Sequence, residues 1–291
     1  MNTMMHVHMV VWVAALLVIH VSSSKQVPGG RRQCEEQMRT LRETQELLHG
    51  EIATMKNSLN KLTSFVASTI PEDCSVARAR GSWTTVTQVR PPGLEPREVR
   101  CDQQSAGGGW TVILARYPAH EDHHHRHDFN RSWNQYKQGF GDINGEFWIG
   151  NDVLHSLTRD VPNQLRVTLA DWSGDSAVST WDYFRIGSES DQYRLSVGKY
   201  HKNSTGGDAL SHHNNHAFST YDHDHDIDDL DHCAQRYGGG WWYFRCFESH
   251  PTGKALPPNE VSRHAIVWRP WKATNGLKNV TMMIRPVAFL E

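Results

Sequence analysis

The sequence predicts an α+β domain with a central antiparallel sheet, preceded by an N-terminal α-helical coiled coil. Three observations predict this arrangement. An apolar heptad repeat covers residues 34–66, and Pro71 ends that helix. From Cys74 onward, short β-prone runs alternate with aromatic and Gly-rich turns. The predicted boundaries are a leader, a coiled-coil oligomerisation region and a globular domain at residues 1–24, 25–70 and 72–291.

The heptad repeat has two apolar phases, separated by alternating intervals of four and three residues. They are Cys34, Leu41, Leu48, Met55 and Leu62, and Met38, Gln45, Ile52, Leu59 and Val66, of which all except Gln45 are apolar if Cys34 is counted. Such a stripe faces either a partner helix or the globular domain. Its length of nearly five heptads favours a coiled coil, without choosing between dimer and trimer.

Within the globular region, three runs look like strands and two look helical. The strand-like runs are 110–114, 165–169 and 193–197, and the helical ones are 133–136 and 151–158. The mixture predicts an α+β domain with an antiparallel sheet.

The first 24 residues predict a secretory signal peptide. Residues 9–19 are apolar but too short to span a bilayer, and small residues follow up to Ser24, the expected cleavage point. Because this region has no Lys or Arg before its apolar run, a membrane anchor is the alternative. No later segment is apolar enough to cross a membrane. We therefore expect a secreted, extracellular protein.

The cysteines and sequons agree with that location. Behind a signal peptide cysteines oxidise, and an odd count of five leaves one thiol free or paired between chains. Cys34 lies on the heptad seam, where two copies would face each other in a parallel assembly, so it is the candidate for an interchain bond. The sequons predict glycosylation at Asn130, Asn203 and Asn279.

The composition argues against several classes of function. A formal net charge of −2 argues against a nucleic-acid binder and gives no general attraction to anionic membranes. A literal H-E-x-x-H match occurs at His120, Glu121 and His124. Pro118 precedes it and no metzincin pattern follows, so a solvated insertion at residues 120–127 is preferred over adventitious Zn²⁺ or Cu²⁺ binding and over a metalloprotease. We expect a protein that is not an enzyme.

A series of motifs resembles the fibrinogen C-terminal domain over residues 72–288. It comprises GGGWTV (107–112), DFNRSW (128–133), YKQGFG (136–141), GEFWIGND (145–152), LHSLT (154–158), HNN (213–215), FST (218–220) and GWW (240–242). The resemblance implies a central antiparallel sheet and a loop-rich C-terminal part that holds calcium and ligand sites. It also implies disulfides between Cys74 and Cys101 and between Cys233 and Cys246, which leaves Cys34.

The resemblance places a calcium loop at residues 222–231, where six carboxylates occur in ten residues. Hard oxygen ligands suit Ca²⁺, although the EF-hand pattern fails. By position, Asp224 and Asp226 would supply carboxylates, and Asp228 and Leu230 would supply backbone carbonyls. The alternative is a solvated acidic loop.

The family's ligand pocket lies beside this loop and accepts acetyl groups in lectin-like members. Here it would comprise Trp241, Trp242, Tyr243, Arg245, Cys246 and Phe247, and the family has a cis peptide bond at the position of Arg245–Cys246. Phe247 replaces a usual His and Ala255 a usual Tyr, so an aromatic core with an altered pocket is the alternative.

These observations predict a secreted, lectin-like oligomer that binds glycans or acetylated groups on cell or microbial surfaces, plausibly in innate defence. The coiled coil would join several globular domains, each with weak affinity, so that together they bind with high avidity. An angiopoietin-like ligand for a cell-surface receptor protein is the alternative, and a clotting or matrix component is a third.

Overall fold

The computed structural model describes residues 30–117, 127–228, 231–256 and 261–290. The leader and most of the His-rich insertion lie outside the described residues. The chain divides into two units, residues 1–66 and 67–291, which we describe separately. Among the described helices, none combines the length and the apolar character needed to cross a membrane.

The first unit is described as part of helix α1, Gly30–Thr69. This helix contains the heptad repeat and ends shortly before Pro71, because the residue preceding a proline is disfavoured in helical conformation. The apolar side chains from Met38 to Leu62 in this repeat are exposed, from 47% for Leu48 to 63% for Met55 and Leu62. The predicted helix is therefore present, and these described side chains of its apolar stripe are open to solvent.

The second unit is built on one antiparallel sheet. Its strands are β1 Val86–Val89, β2 Arg97–Asp102, β3 Trp110–Arg116, β4 Phe140–Gly141, β5 Phe147–Trp148, β6 Asn163–Ala170, β7 Ser176–Ile186, β8 Leu195–Tyr200 and β11 Asn279–Pro286. Their order in the sheet is β1-β2-β3-β11-β6-β7-β8, and β5 also pairs with β3 and with β4. A separate pair joins β9 Ser249–His250 to β10 Val267–Trp268.

Short helices flank the sheet, with bounds α2 Cys74–Ala79, α3 Trp133–Gln138, α4 Asn151–Thr158, α5 Cys233–Tyr237 and α6 Arg269–Lys272. The predicted segments at 110–114, 165–169, 133–136 and 151–158 are confirmed. The predicted strand at 193–197 begins later, at Leu195. Gln192 and Tyr193 have φ values of +53° and +49°, so the chain is left-handed there and cannot be extended.

The core of this unit is aromatic. Trp148, Phe218 and Trp242 are essentially inaccessible, and the ring centroids of Phe218 and Trp242 are 5.3 Å apart in an edge-to-face arrangement. The two disulfides that the resemblance implied are present, with Cα–Cα distances of 5.6 Å for Cys74–Cys101 and 5.5 Å for Cys233–Cys246. Each is worth about 3 kcal/mol in the chain-entropy model. Among the described cysteines, Cys34 is the one left free.

Candidate cation loop and adjoining cavity

The acidic loop, residues 222–231, brings two carboxylates and one imidazole together. Ligand atoms of Asp224, Asp226 and His232 all lie within 4.8 Å of one another. The Asp226 carboxylate accepts backbone N–H bonds from Asp228 at 2.9 Å and from Cys233 at 3.0 Å. Asp224 in turn accepts a bond from the backbone N–H of Asp226 at 3.2 Å. The two carboxylates that the sequence singled out therefore share one site.

Without a cation, the two adjacent carboxylates of this site repel each other. Burial, together with repulsion from the Asp224 carboxylate, raises the pKa of Asp226 to about 6, although the two backbone N–H groups act in the opposite direction. A half-buried carboxylate beside a second one is stabilised by a positive charge. The arrangement is thus a candidate acidic cation site.

His232 is the residue that sequence reasoning missed. Its Nδ1 lies 3.8 Å from an oxygen of Asp224 and is buried without a hydrogen-bond partner in the described part of the chain. Its only sequence signal is its position immediately before Cys233. An imidazole suits softer metals than Ca²⁺, so His232 is a neighbour of the carboxylates rather than a preferred calcium ligand.

The remaining predicted loop residues have other contacts. The Asp228 carbonyl accepts a hydrogen bond from the Asp231 N–H at 3.3 Å, and Leu230 lies outside the described residues. His223 stacks on Trp133 with ring centroids 5.1 Å apart, and His225 Nδ1 lies 2.8 Å from the Phe218 carbonyl. Both imidazoles therefore contact the aromatic core beside the loop.

The three aromatic residues expected to supply ligand surface are buried in the structure. Trp241, Trp242 and Tyr243 have no exposed surface. The Trp242 indole donates to the Tyr193 carbonyl at 2.7 Å, and the Tyr243 hydroxyl donates to the Gly239 carbonyl at 3.0 Å. Burying these rings removes large apolar areas from water and places them in the core. The polar atoms of Trp242 and Tyr243 are satisfied, whereas Trp241 Nε1 is buried without a partner among the described residues.

The other residues of the expected pocket differ from one another in exposure. Cys246 and Phe247 are buried, whereas Arg245 is exposed. All peptide bonds in the described stretches are trans, including Arg245–Cys246, where the resemblance suggested a cis bond.

An open cavity of about 510 Å³ lies nearby and is lined by different residues, from five parts of the chain. We call it the α5 cavity. Its lining comprises Arg116, residues 127–130, residues 235–239, residues 252–256 and His264. It includes the sequon residue Asn130 and His127, the one described residue of the His-rich insertion.

A buried ion pair holds one wall of the α5 cavity. Arg116 is 2% exposed, and its Nε donates to Glu146 at 3.0 Å. The same guanidinium donates to the carbonyls of Pro251 and Gly253 at 2.9 and 2.8 Å. The lining also needs glycine at position 239, where φ is +80° and a Cβ would lie 2.6 Å from the Thr252 carbonyl oxygen.

Helix α5 joins the acidic loop to the α5 cavity. Its first residue, Cys233, donates its N–H to Asp226, which satisfies one of the unpaired N–H groups at a helix start. Its later residues Gln235, Arg236 and Tyr237 line the cavity. The conformation of the loop therefore bears directly on the shape of the cavity.

Comparison with known proteins agrees with the fold. The family described as fibrinogen beta and gamma chains, C-terminal globular domain, matches residues 70–287. Mouse angiopoietin-related protein 7 is 36% identical over 286 residues, covering 96% of this chain and 80% of that protein. Techylectin-5A of Tachypleus tridentatus is 38% identical over 250 residues, covering 79% of this chain and 80% of that protein.

Solved structures show the same similarity. The fibrinogen-like globe domain of human ANGPTL2 has a TM-score of 0.69 and 36% identity, covering 74% of this chain and 99% of that one. Lamprey fibrin D-dimer, complexed with the peptide Gly-His-Arg-Pro-amide, has a TM-score of 0.65 and 25% identity, covering 96% and 93% of the two chains.

Proposed function

The chain belongs to the fibrinogen C-terminal domain family, and from that premise we propose that it is a secreted, oligomeric, calcium-dependent recognition protein. Its ligands would be glycans or acetylated groups on cell or microbial surfaces. Fibrinogen-like proteins of this kind are not enzymes, so recognition is the activity that requires explanation.

The observation that carries the proposal is the shared helix α5. Asp226 holds the start of this helix through the Cys233 N–H, and the helix supplies three lining residues of the α5 cavity. A cation on the acidic loop would therefore stabilise the cavity without touching its contents. This is the behaviour of a calcium-dependent binding module in which the ion orders the site.

The residues of the acidic loop fit calcium in their chemistry. Asp224 and Asp226 would provide hard carboxylate oxygens, with the Asp228 and Leu230 carbonyls as further ligands. The second group of possible metal-binding atoms comprises Asp228, Cys233 and Cys246, but its sulfurs are joined in a disulfide. When bound, Ca²⁺ would neutralise the adjacent carboxylates and order the segment that leads into α5.

The α5 cavity favours a polar ligand. Arg236, Lys254 and His264 are exposed around it, together with the Asp128 carboxylate, and Tyr237 provides an aromatic surface inside. Hydroxyl and amide groups of a sugar match these donors and acceptors. An acetyl methyl would contact Tyr237, since the three aromatic residues first expected to hold it are inaccessible.

Assembly would occur through the α1 helices of several copies. The exposed apolar stripe supports a coiled coil, and Cys34 at its N-terminal end would form the interchain disulfide. Individual fibrinogen-like heads with weak affinity would then act together. The two intrachain disulfides suit an extracellular location, as do the signal peptide at residues 1–24 and the three sequons.

A second candidate function is that of an angiopoietin-like ligand for a cell-surface receptor protein. It is favoured by the similarity to angiopoietin-related protein 7, which extends over 96% of the chain and so includes the helical region. The similarity to techylectin-5A favours the lectin-like function and a role in innate immunity. Both would use a calcium-ordered head on an oligomeric stalk.

A glycan array probed with the oligomeric protein, in calcium and in chelator, separates the two functions. We expect binding to one glycan class that chelator abolishes and that Asp226→Asn weakens at least tenfold. Asp160→Asn is the matched control, because Asp160 is an exposed carboxylate paired with Arg159. Absence of sugar binding, together with saturable capture of one cell-surface protein, would favour the receptor ligand instead.

A further inference from the structure

The sequon at Asn279 lies in the central strand of the sheet, β11. Side chains alternate along this strand: Val280 and Met282 are fully buried in the core, whereas Asn279, Thr281 and Met283 line a cavity on the opposite face. We call this the sheet-face cavity, and its volume is about 520 Å³. It is separate from the α5 cavity and shares no lining residue with it.

The walls of the sheet-face cavity suit a sugar. Trp83, which is 65% exposed, and half-buried Tyr117 provide aromatic surface, and Arg100, Asp102 and Thr168 provide polar groups. Aromatic rings pack against the apolar face of a sugar ring, while hydroxyl and amide groups of the sugar satisfy polar neighbours.

Two residues of the lining each carry a polar side-chain atom that is buried without a hydrogen-bond partner among the described residues. These atoms are Asn279 Oδ1 and Arg100 Nη1, an acceptor and a donor. Buried polar atoms are normally paired, so an unpaired acceptor and donor at one cavity indicate a ligand that carries both kinds of group. The Nδ2 of Asn279, to which an N-linked glycan is attached, is not among the buried unpaired atoms.

We propose that the sheet-face cavity holds the first sugars of the chain's own N-linked glycan, attached at Asn279. The attachment residue is itself part of the lining, so the sugar is tethered at the site and occupies it intramolecularly. The N-acetyl and hydroxyl groups of the first sugar lie against Tyr117, Trp83 and Arg100. The glycan thereby covers one face of the sheet.

Asn203 provides an internal comparison. It follows β8 in an exposed turn and lines neither of the two cavities. A glycan at Asn203 therefore extends into solvent, whereas the one at Asn279 is held against protein. The two glycans differ in their accessibility to an amidase that cleaves at the Asn–sugar bond.

The test is site-resolved mass spectrometry of the secreted full-length protein during digestion with peptide N-glycosidase under native conditions. We expect both sites to carry glycan, and Asn279 to be cleaved at least tenfold more slowly than Asn203. After denaturation the two rates should agree. Trp83→Ala should raise the native rate at Asn279 several-fold, whereas Val161→Ala, at an exposed residue outside the cavity lining, should not.

The inference rests on the proposed secretion, and the outcomes of this test distinguish failure of the cavity assignment from failure of secretion. If Asn203 carries a glycan and Asn279 does not, the inference is wrong and secretion stands. Equal native cleavage rates at both sites would also refute it. If neither sequon is occupied in the secreted protein, the cavity assignment fails and secretion stands, whereas retention of the protein inside the expressing cell would contradict the extracellular assignment.

Discussion

The carboxylate of Asp226 accepts a hydrogen bond of 3.0 Å from the backbone N–H of Cys233. Cys233 is the first residue of α5 and forms a disulfide with Cys246, so one side chain of the acidic loop fixes both the helix and the covalent bond beside the α5 cavity. Burial and the adjacent Asp224 raise the pKa of Asp226 to about 6, so a positive charge on the loop would favour the ionised form of this carboxylate. Under the proposed function, a cation bound to the loop would act on the α5 cavity through this helix.

Calcium should raise the melting temperature of the globular domain. An ion that binds only the folded state at a hundredfold excess over its dissociation constant stabilises it by about 2.7 kcal/mol. Chelator should remove this stabilisation, and Asp224→Ala with Asp226→Ala should reproduce the chelated value and abolish the response to calcium. Calorimetry measures both. Identical melting of the natural protein in calcium and chelator would mean that the loop is merely acidic.

Cys34 should link the chains covalently. Because it is the free cysteine of the described chain and lies on the heptad seam, the mature protein should migrate as a disulfide-linked oligomer without reductant. Cys34→Ser should remove that band and leave a weaker, non-covalent oligomer in sedimentation. A monomeric mature protein would contradict the coiled coil as well as the interchain disulfide.

His213 should make the fold sensitive to acid. Its Nδ1 donates to the Trp242 carbonyl at 2.8 Å, and its Nε2 accepts N–H bonds from Glu248 and Ser249, so the buried ring is neutral. Burial lowers the pKa of His213 from 6.5 to about 3, and the repulsion of nearby imidazoles contributes. Above pH 6.5 the ring is neutral in both folded and unfolded chains. As the pH falls below 6.5, the unfolded chain gains a proton that the folded chain does not, and stability is lost until about pH 3.

The size of this effect is at most about 5 kcal/mol, since one pKa unit corresponds to about 1.4 kcal/mol. The free energy of unfolding, measured in urea between pH 7.5 and 5, should depend less steeply on pH in His213→Gln than in the natural protein. His212→Gln is the control, because its ring is only half-buried. A normal titration of His213 near pH 6.5 by NMR would contradict the prediction.

Breaking the Arg116–Glu146 pair should be costly. Both side chains are almost fully buried, at 2% and 7% exposure, and removal of one partner leaves an uncompensated charge. Arg116→Met should lower the free energy of unfolding by about 3–5 kcal/mol and weaken ligand binding, because the carbonyls of Pro251 and Gly253 lose their donor. Arg159→Met, at an exposed ion pair, should change stability by less than about 1 kcal/mol. Similar losses of unfolding free energy in Arg116→Met and Arg159→Met, measured by urea unfolding, would contradict the prediction.

The sequence by itself determined the features that depend on local order along the chain. The heptad period predicted α1, and short β-prone runs predicted β3 and β6. The acidic loop was visible as a run of carboxylates, because charge crowding within ten residues needs no tertiary information. The disulfide pairing came from the ordered motifs of the family.

Only the tertiary structure decided which surfaces are open. Trp241, Trp242 and Tyr243 are chemically suited to a ligand, yet packing removes them from the surface, and side-chain type cannot reveal that. The α5 cavity is assembled from segments as distant as Arg116 and His264, and His232 joins the carboxylates through the fold of the loop. Burial and proximity between remote residues arise from the packing of the whole chain, so no local pattern encodes them.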